Sequence, residues 1–347
     1  MKRFAFRYPR TQGFSLVELM VAMTIGLIIL AAVSSLFVNS KKTYTTQDNM
    51  ARLQENGRFA MQFLMKDLRL AGYYGCISDI SADTVNNTVA GGSAFDNNTL
   101  VFLEGMNNAS GTWYPSSTMP ATPAGMVAGT DTVAIRMADP DTSQNVTAQM
   151  AGFTSSIAVA DTSNYKNNDT VIVSDCSRAD VAQVTVTSAT ALTPSASLNK
   201  QYGPPIYPST VNGTHVMKYM TRRYFVRTNA SGNPALYRLD STAGSAVELV
   251  EGIENLQILY GKDTDNDKVP NVYLAAGAAG LQTPQDWASV VSIRIGILAR
   301  TVSNKESDLD NASYDIDGTG QNNFTPNPPD RYKRKVFQAV VFLRNAQ

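Results

Sequence analysis

The sequence is poor in the side chains that most enzymes use for catalysis. It has one histidine, His215, with no metal-ligand spacing around it, and only two cysteines. Serine-hydrolase, zinc-protease and phosphate-loop motifs (Gly-x-Ser-x-Gly, His-Glu-x-x-His and the glycine-rich loop) are all missing. Catalysis would have to rest on scattered carboxylates, so we expect a protein that is not an enzyme.

Charge is also scarce. Charged residues make up 17% of the chain, and the formal net charge is zero. If residues 1–13 are removed from the mature protein, 25 basic and 29 acidic side chains are left. A slightly acidic chain lacks the electrostatic footprint of a nucleic-acid-binding protein. We therefore expect no nucleic-acid partner.

One long apolar run is present, at residues 19–38. About 20 apolar residues are enough for an α-helix to cross a bilayer core of roughly 30 Å. The residues before the run include four cations, Lys2, Arg3, Arg7 and Arg10. The positive-inside rule places this leader in the cytoplasm and everything after residue 38 on the opposite side of the membrane.

The small residue Gly13 lies before the apolar run and not after it. A secretory signal peptide has its small residues after the apolar core, where it is cut. Cleavage after Gly13 would instead leave the helix attached to the mature protein, with Phe14 as its new N-terminus. The alternative is an ordinary N-terminal membrane anchor.

A single carboxylate, Glu18, lies at the start of the apolar segment. An ionised group there costs roughly 2.5–3.5 kcal/mol on insertion scales, so it usually has a partner. Phe14 and Glu18 are four residues apart on one helix face, which makes the amine of a mature Phe14 a natural partner. The amine of a neighbouring subunit is a second partner, and a carboxylate resting among lipid headgroups is the third interpretation.

Helical periodicity continues beyond the membrane segment. Apolar residues recur at three- and four-residue steps from Met50 to Ala71, no proline interrupts residues 14–71, and Gly72 offers a stop. The run 14–38 is apolar on all sides, whereas 39–72 is amphipathic, with Glu55 and Asp67 among its solvent-facing residues. The second half should therefore pack on a globular domain.

From residue 73 onward the pattern changes to β-branched stretches, among them 216–227 and 289–301, separated by Gly, Asn, Asp and Pro. Segment 138–168 is predicted as a loop. Alternation is clean in 290–297 and 182–186, which is typical of half-buried strands. We expect an α+β fold: a long N-terminal helix packed on an antiparallel sheet, in a domain covering 73–347. A large β-rich insertion is predicted at about 78–208.

The two cysteines, Cys76 and Cys176, fall in this outer domain. Because that compartment is oxidising, they are interpreted as a disulfide and not as a redox or metal pair.

Several stretches together resemble one family. They are the Gly13–Glu18 motif, Gln54-Glu55-Asn56-Gly57-Arg58-Phe59-Ala60, Asp67-Leu68-Arg69-Leu70-Ala71-Gly72-Tyr73-Tyr74-Gly75-Cys76, residues 250–261 and residues 342–345. The first resembles the class III signal of type IV prepilins, and the set resembles the PilW family of minor type IV pilins. The resemblance covers both ends of the chain well and 81–215 poorly.

The resemblance implies a pilin-like fold, a peptidase that cuts after Gly13, and N-methylation of Phe14. It also implies a bacterial inner-membrane protein with a periplasmic domain, which joins the other minor pilins and the major pilin on the assembly platform. Such a subunit would prime pilus growth and end near the fibre tip, beside any tip adhesin.

Two other functions remain open. The order of residues 252–256, an acidic loop, Trp287 and the strand 290–297 also resembles the J-type minor pseudopilin of type II secretion. A tip adhesin or DNA receptor carried on a pilin anchor is the other alternative. The insertion in the middle of the chain favours the pilus interpretation over secretion.

Acidic and basic clusters provide the remaining candidate sites. Asp263, Asp265 and Asp267 alternate as in loops that bind calcium, but Lys268 stands where a glycine is expected. Asp308, Asp310, Asp315 and Asp317 form a looser second cluster. Either cluster, or the two jointly, could bind calcium, and the alternative is an acidic surface turn. The basic run 331–335 could contact DNA phosphates or form a solvated loop.

Overall fold

The computed structural model describes residues 13, 15–77, 80–89, 101–115, 124–204, 213–241, 245–304 and 308–345. The chain forms two compact units, Met1–Ala51 and Arg52–Gln347. Helix α1 (Leu16–Leu68) contributes to both. In the first unit its side chains are almost all exposed.

The second unit is an α+β fold whose strands are mostly antiparallel, as the sequence predicts. Its elements, in chain order, are β1 (Val85–Asn87), β2 (Leu103–Met106), β3 (Thr132–Asn145), β4 (Ile157–Ala158), β5 (Asp169–Ser174), β6 (Ala179–Ser188), β7 (Ala191–Pro194), β8 (His215–Thr228), β9 (Pro234–Asp240), β10 (Val247–Glu251), β11 (Ile253–Lys262), β12 (Val272–Leu274), α2 (Pro284–Ala288), β13 (Val290–Arg300) and β14 (Arg334–Phe342).

The larger sheet is organised around β8. This strand pairs with β3 on one side, and on the other side with β5 along its first part and β9 along its second. The order of the main path is β10-β9-β8-β5-β6-β7-β4, with β2 on β3 and β1 parallel to β6. Strands β8 to β10 complete this sheet, which therefore combines strands from the predicted insertion at about 78–208 with strands that follow it.

The smaller sheet has the order β12-β11-β13-β14 and is antiparallel throughout. The chain passes into it from the larger sheet at Gly252, whose φ of +80° favours glycine. The Gly252 N–H donates to the Pro234 carbonyl at 2.8 Å, and its own carbonyl accepts from the Arg300 N–H at 2.8 Å. One residue thus joins both sheets through its backbone hydrogen bonds.

The second half of α1 packs against the main core of the second unit. The predicted apolar stripe is confirmed between Leu53 and Leu68, because these positions recur on one helix face and are buried with residues of both sheets. At Gly57 the helix approaches β14 so closely that an added Cβ would lie 2.2 Å from the Phe337 ring. The Asn345 side chain donates to the Ala71 carbonyl at 3.0 Å, across a sequence separation of 274 residues.

A second apolar cluster lies apart from this main core. It consists of buried side chains from the region 146–216, among them Ile157, Val171, Leu192 and Tyr202. The residues that precede β4 and follow β7 contribute to it. The middle of the chain therefore has its own small core attached to the larger sheet, although much of 138–168 has the composition of a loop.

Cys76 and Cys176 form a disulfide bond in the structure. Cys76 follows the end of α1, and Cys176 lies between β5 and β6. The bond ties the chain after the helix to a hairpin of the larger sheet.

Replacing both cysteines with serine should lower the free energy of unfolding by about 2–5 kcal/mol, since the bond closes a loop of about 100 residues. We would measure urea unfolding of the full chain in detergent. Wild type treated with reductant is the matched control and should unfold like the double-serine variant. Free thiols on both cysteines in untreated protein would contradict the pairing.

Candidate functional site

The first turn of α1 carries the predicted assembly carboxylate. Ser15 caps the helix, because its hydroxyl accepts from the Glu18 N–H at 3.2 Å and its carbonyl accepts from the Leu19 N–H at 3.1 Å. The spacing Ser15 to Glu18 is that of a capping box, and a carboxylate in the first turn is favoured by the helix dipole. The Glu18 side chain is exposed. Phe14 lies outside the described residues.

Of the two residues of the predicted cleavage site, the structure describes Gly13. It is exposed, and an added Cβ would have no heavy atom within 4 Å. Among the described residues, therefore, nothing packs against Gly13 in a way that requires glycine. A requirement for a small residue at this position must come from a partner such as a peptidase.

The apolar half of α1 exposes its large side chains on every side. Leu16, Leu27, Ile28, Leu36 and Phe37 are each 66–75% exposed. Among the described residues, α1 is the one helix that is long and apolar enough to cross a membrane, judged by length and composition alone. Such a surface is unfavourable in water and needs lipid or other apolar helices around it.

The first acidic loop has a compact geometry. One carboxylate oxygen from each of Asp263, Asp265 and Asp267 lies within 4.8 Å of the others. Burial opposes ionisation of Asp263, but N–H donors from Lys268, Asn266 and Asp265 lower its pKa below the ordinary value. The loop is thus held by its own backbone hydrogen bonds. Calcium binding here stays a prediction.

The second acidic cluster divides into two parts. Asp315 accepts backbone hydrogen bonds from Gly318 and Gly320 at 2.8 Å each, which closes a turn. Asp310 instead pairs with Arg334 at 2.9 Å. The structure therefore gives these two carboxylates different partners and does not combine them in one cation loop.

The basic run 331–335 contributes to the core of its domain through Arg334. This side chain is 1% exposed and forms ion pairs with Glu254, Asp310 and Asp330. Arg334 is thus unavailable to a nucleic-acid phosphate.

Sequence reasoning missed two buried charged sites. The sequence places Asp67 on the solvent-facing side of α1, but this residue is only 3% exposed. Its carboxylate accepts a hydrogen bond from Arg222 at 3.0 Å and another from the Tyr224 hydroxyl. Burial and the Asp67 carboxylate raise the pKa of Tyr224 well above its ordinary value. Asp67 lies three residues after the buried Leu64, and this helical spacing is the sequence pattern that could have predicted its burial.

The second missed site joins β2 and β3. The Arg136 guanidinium lies 3.2 Å from a Glu104 carboxylate oxygen, and both side chains are fully buried. Arg136 also donates to the Val101 carbonyl at 2.7 Å. The pair thus links β2 to β3 in the interior of the larger sheet.

Two family models match the chain, and they match different parts of it. Residues 8–34 match the prokaryotic N-terminal methylation motif. That match, which includes much of the exposed apolar half of α1, defines a type IV pilin-related protein and is consistent with a membrane-anchored pilin. Residues 223–345 match the model "Type IV Pilus-assembly protein W", so the chain is PilW-like and carries a PilW domain. The PilW match extends from within β8 to the end of the smaller sheet.

The comparison with solved structures adds a weak likeness. The type IV-like pilin TTHA1219 from Thermus thermophilus is 11% identical over 53% of this chain and 88% of its own, with a TM-score of 0.23. A likeness at this level carries no argument. No curated protein matches the chain.

Proposed function

We propose that this protein is a minor pilin that assembles with other pilins in the bacterial inner membrane and primes growth of the type IV pilus. The observation that carries the proposal is the division of α1. Its first half exposes apolar side chains all round, and its second half is packed into a domain that matches the PilW model. Packing of helices, and not catalysis, is the activity that such a molecule offers.

Processing would prepare the helix for assembly. In this proposal a prepilin peptidase cuts after Gly13 and the new N-terminus at Phe14 is methylated. The domain beyond the membrane then faces the periplasm, and the subunit ends at the fibre tip. The match of residues 8–34 to the methylation motif supports the processing step of this proposal.

Glu18 would set the register of the helices. In an apolar bundle an unpaired carboxylate is costly, whereas a carboxylate paired with the amine of a neighbouring subunit is tolerated. Only one depth of insertion brings the two charges together. The carboxylate therefore favours one register of docking among many that are equally apolar.

Changing Glu18→Ala should abolish co-purification with the other minor pilins and sharply reduce surface pili, while membrane insertion and the disulfide persist. Pilus counts by electron microscopy and twitching assays would measure the effect. Glu55→Ala is the matched control, since Glu55 is an exposed carboxylate farther along the same helix. Normal piliation in the Glu18→Ala strain would rule out the assembly role of this residue.

Deleting the whole gene distinguishes priming from the binding-module alternative. Loss of pili is expected if the protein primes assembly. Normal pili with loss only of adhesion or DNA uptake would favour a receptor carried on a pilin anchor. Loss of protein secretion with normal pili would favour the J-type pseudopilin, against which the PilW match already argues.

A further inference from the structure

An open groove of about 710 Å³ lies at the C-terminal end of α1, within the second unit. Its apolar lining includes Met65, Leu70, Tyr73 and Pro140, which come from the helix, the residues that follow it and β3. None of these four side chains is fully buried. The groove is therefore an apolar surface in contact with solvent.

Three cations line the same groove: Lys66, Arg69 and Arg344. Lys66 and Arg344 are exposed and no carboxylate lines the groove within the described ranges. None of the three cations forms an ion pair in the part of the chain that the structure describes, whereas the neighbouring Asp67 is already paired with Arg222. The groove thus combines an apolar lining with uncompensated positive charge.

The helix dipole explains the position of only some of these cations. Cations near a helix C-terminus are favoured by the dipole, which explains Lys66 and Arg69. Arg344 follows β14 and reaches the groove from the other end of the chain. The Asn345–Ala71 hydrogen bond holds this segment beside the end of the helix, so positive charge from two distant parts of the chain meets in one groove.

The adjacent surface of α1 is also apolar. Phe59 is 46% exposed and Phe63 is 38% exposed, and the four-residue spacing places them on one helix face. Gln62, which lines the groove, is their neighbour in sequence. Exposed aromatic side chains beside arginines are the composition of protein–protein interfaces.

We propose that this groove and the Phe59–Phe63 face bind an acidic segment of a partner protein that also carries apolar side chains. Charge complementarity selects this occupant. Its carboxylates would pair with Arg69 and Arg344, and its apolar side chains would cover Leu70 and Tyr73. The proposal goes beyond the function given above and does not depend on it.

The test uses the full chain in native membranes, with the photoreactive residue benzoylphenylalanine at position 62. We expect a cross-link to a protein segment that contains Asp or Glu. The double variant Arg69→Glu/Arg344→Glu should reduce the yield by roughly tenfold or more, because like charges across an interface are strongly unfavourable. Reversing the acidic residues of the cross-linked segment should restore it.

Two controls make the result specific. The probe at Gln54, an exposed α1 residue outside the groove lining, should give no such cross-link, and Arg58→Glu should leave the yield unchanged. An intact Cys76–Cys176 disulfide and unchanged protease resistance would show that the double variant is folded.

Several outcomes would overturn the proposal. They are a cross-link only to lipid, a cross-linked segment without carboxylates, a yield that does not respond to charge reversal in the folded variant, and no cross-link above the Gln54 background. Each outcome is independent of piliation in the Glu18→Ala strain. The partner-binding proposal for the groove and the assembly role proposed for Glu18 can therefore be contradicted separately.

Discussion

Substituting Gly13→Val is expected to leave residues 1–13 attached to the protein and to prevent methylation of Phe14. Gly13 is exposed, and the structure leaves open space where a side chain would stand, so valine should not disturb the helix. The expected loss of cleavage therefore reports on the peptidase, whose active site must approach the chain closely at this position. Intact-mass analysis of protein extracted from the native membrane would measure it.

Gly26→Val provides the matched control. Gly26 is also exposed, with nothing within 4 Å of an added Cβ, and it lies inside the apolar part of α1. This variant should be processed like wild type and begin at a methylated Phe14. A wild-type protein that begins at Met1, or after residue 38, would exclude prepilin processing.

The second large effect is expected at the buried ion pair of the larger sheet. Glu104→Ala should lower the free energy of unfolding by about 3–5 kcal/mol, because it leaves the fully buried Arg136 without its carboxylate. Urea unfolding of the full chain in detergent, followed by tryptophan fluorescence, would measure the loss. Trp113 is a suitable probe, since it is buried against Met106 of β2 and Ala134 of β3.

Replacing both members of the pair tests the cause of the loss. Glu104→Leu/Arg136→Met removes both charges and should cost much less than Glu104→Ala, since apolar replacements of a buried pair are often tolerated. Asp141→Ala is the control for exposed charge: Asp141 is exposed at the polar end of β3, so a change of at most about 0.5 kcal/mol is expected. Equal losses in the single and double variants would show that packing and not charge dominates.

The long helix was the most predictable part of the fold. Its signals are local: an uninterrupted apolar run, a stripe at helical spacing and a glycine at the end. The structure ends α1 at Leu68, and Gly72 follows with a φ of +71°. Strands β8 and β13 were also predicted to within a few residues, because their β-branched stretches are long.

The arrangement of the strands could not be read in the same way. Strand β3 continues to Asn145 through a polar stretch that was predicted as a loop, since its pairing with β8 comes from backbone hydrogen bonds and not from an apolar pattern. The passage between sheets at Gly252 depends on carbonyls and N–H groups of distant strands. Partner choice between segments far apart in sequence leaves no local signal.

The candidate site shows the same limit. Gly13, Glu18 and the apolar run could be proposed from sequence because the pattern that singles them out lies in neighbouring residues. The partners of Asp67 and Arg334 lie on other elements, so these residues were first assigned to solvent-facing segments. The groove at the end of α1 combines Arg69 with Arg344 and was invisible to any pattern along the chain.

The hydrogen bond from Asn345 to Ala71 also has a consequence for biogenesis. Its partners are 274 residues apart. At roughly 5–20 residues per second, the ribosome needs about 14–55 s to make that stretch. The amphipathic half of α1 therefore emerges long before β14 exists to cover it. A nascent chain in this condition needs protection by a chaperone or a membrane surface until its last strand arrives, and truncation near the C-terminus should expose the helix permanently to proteases.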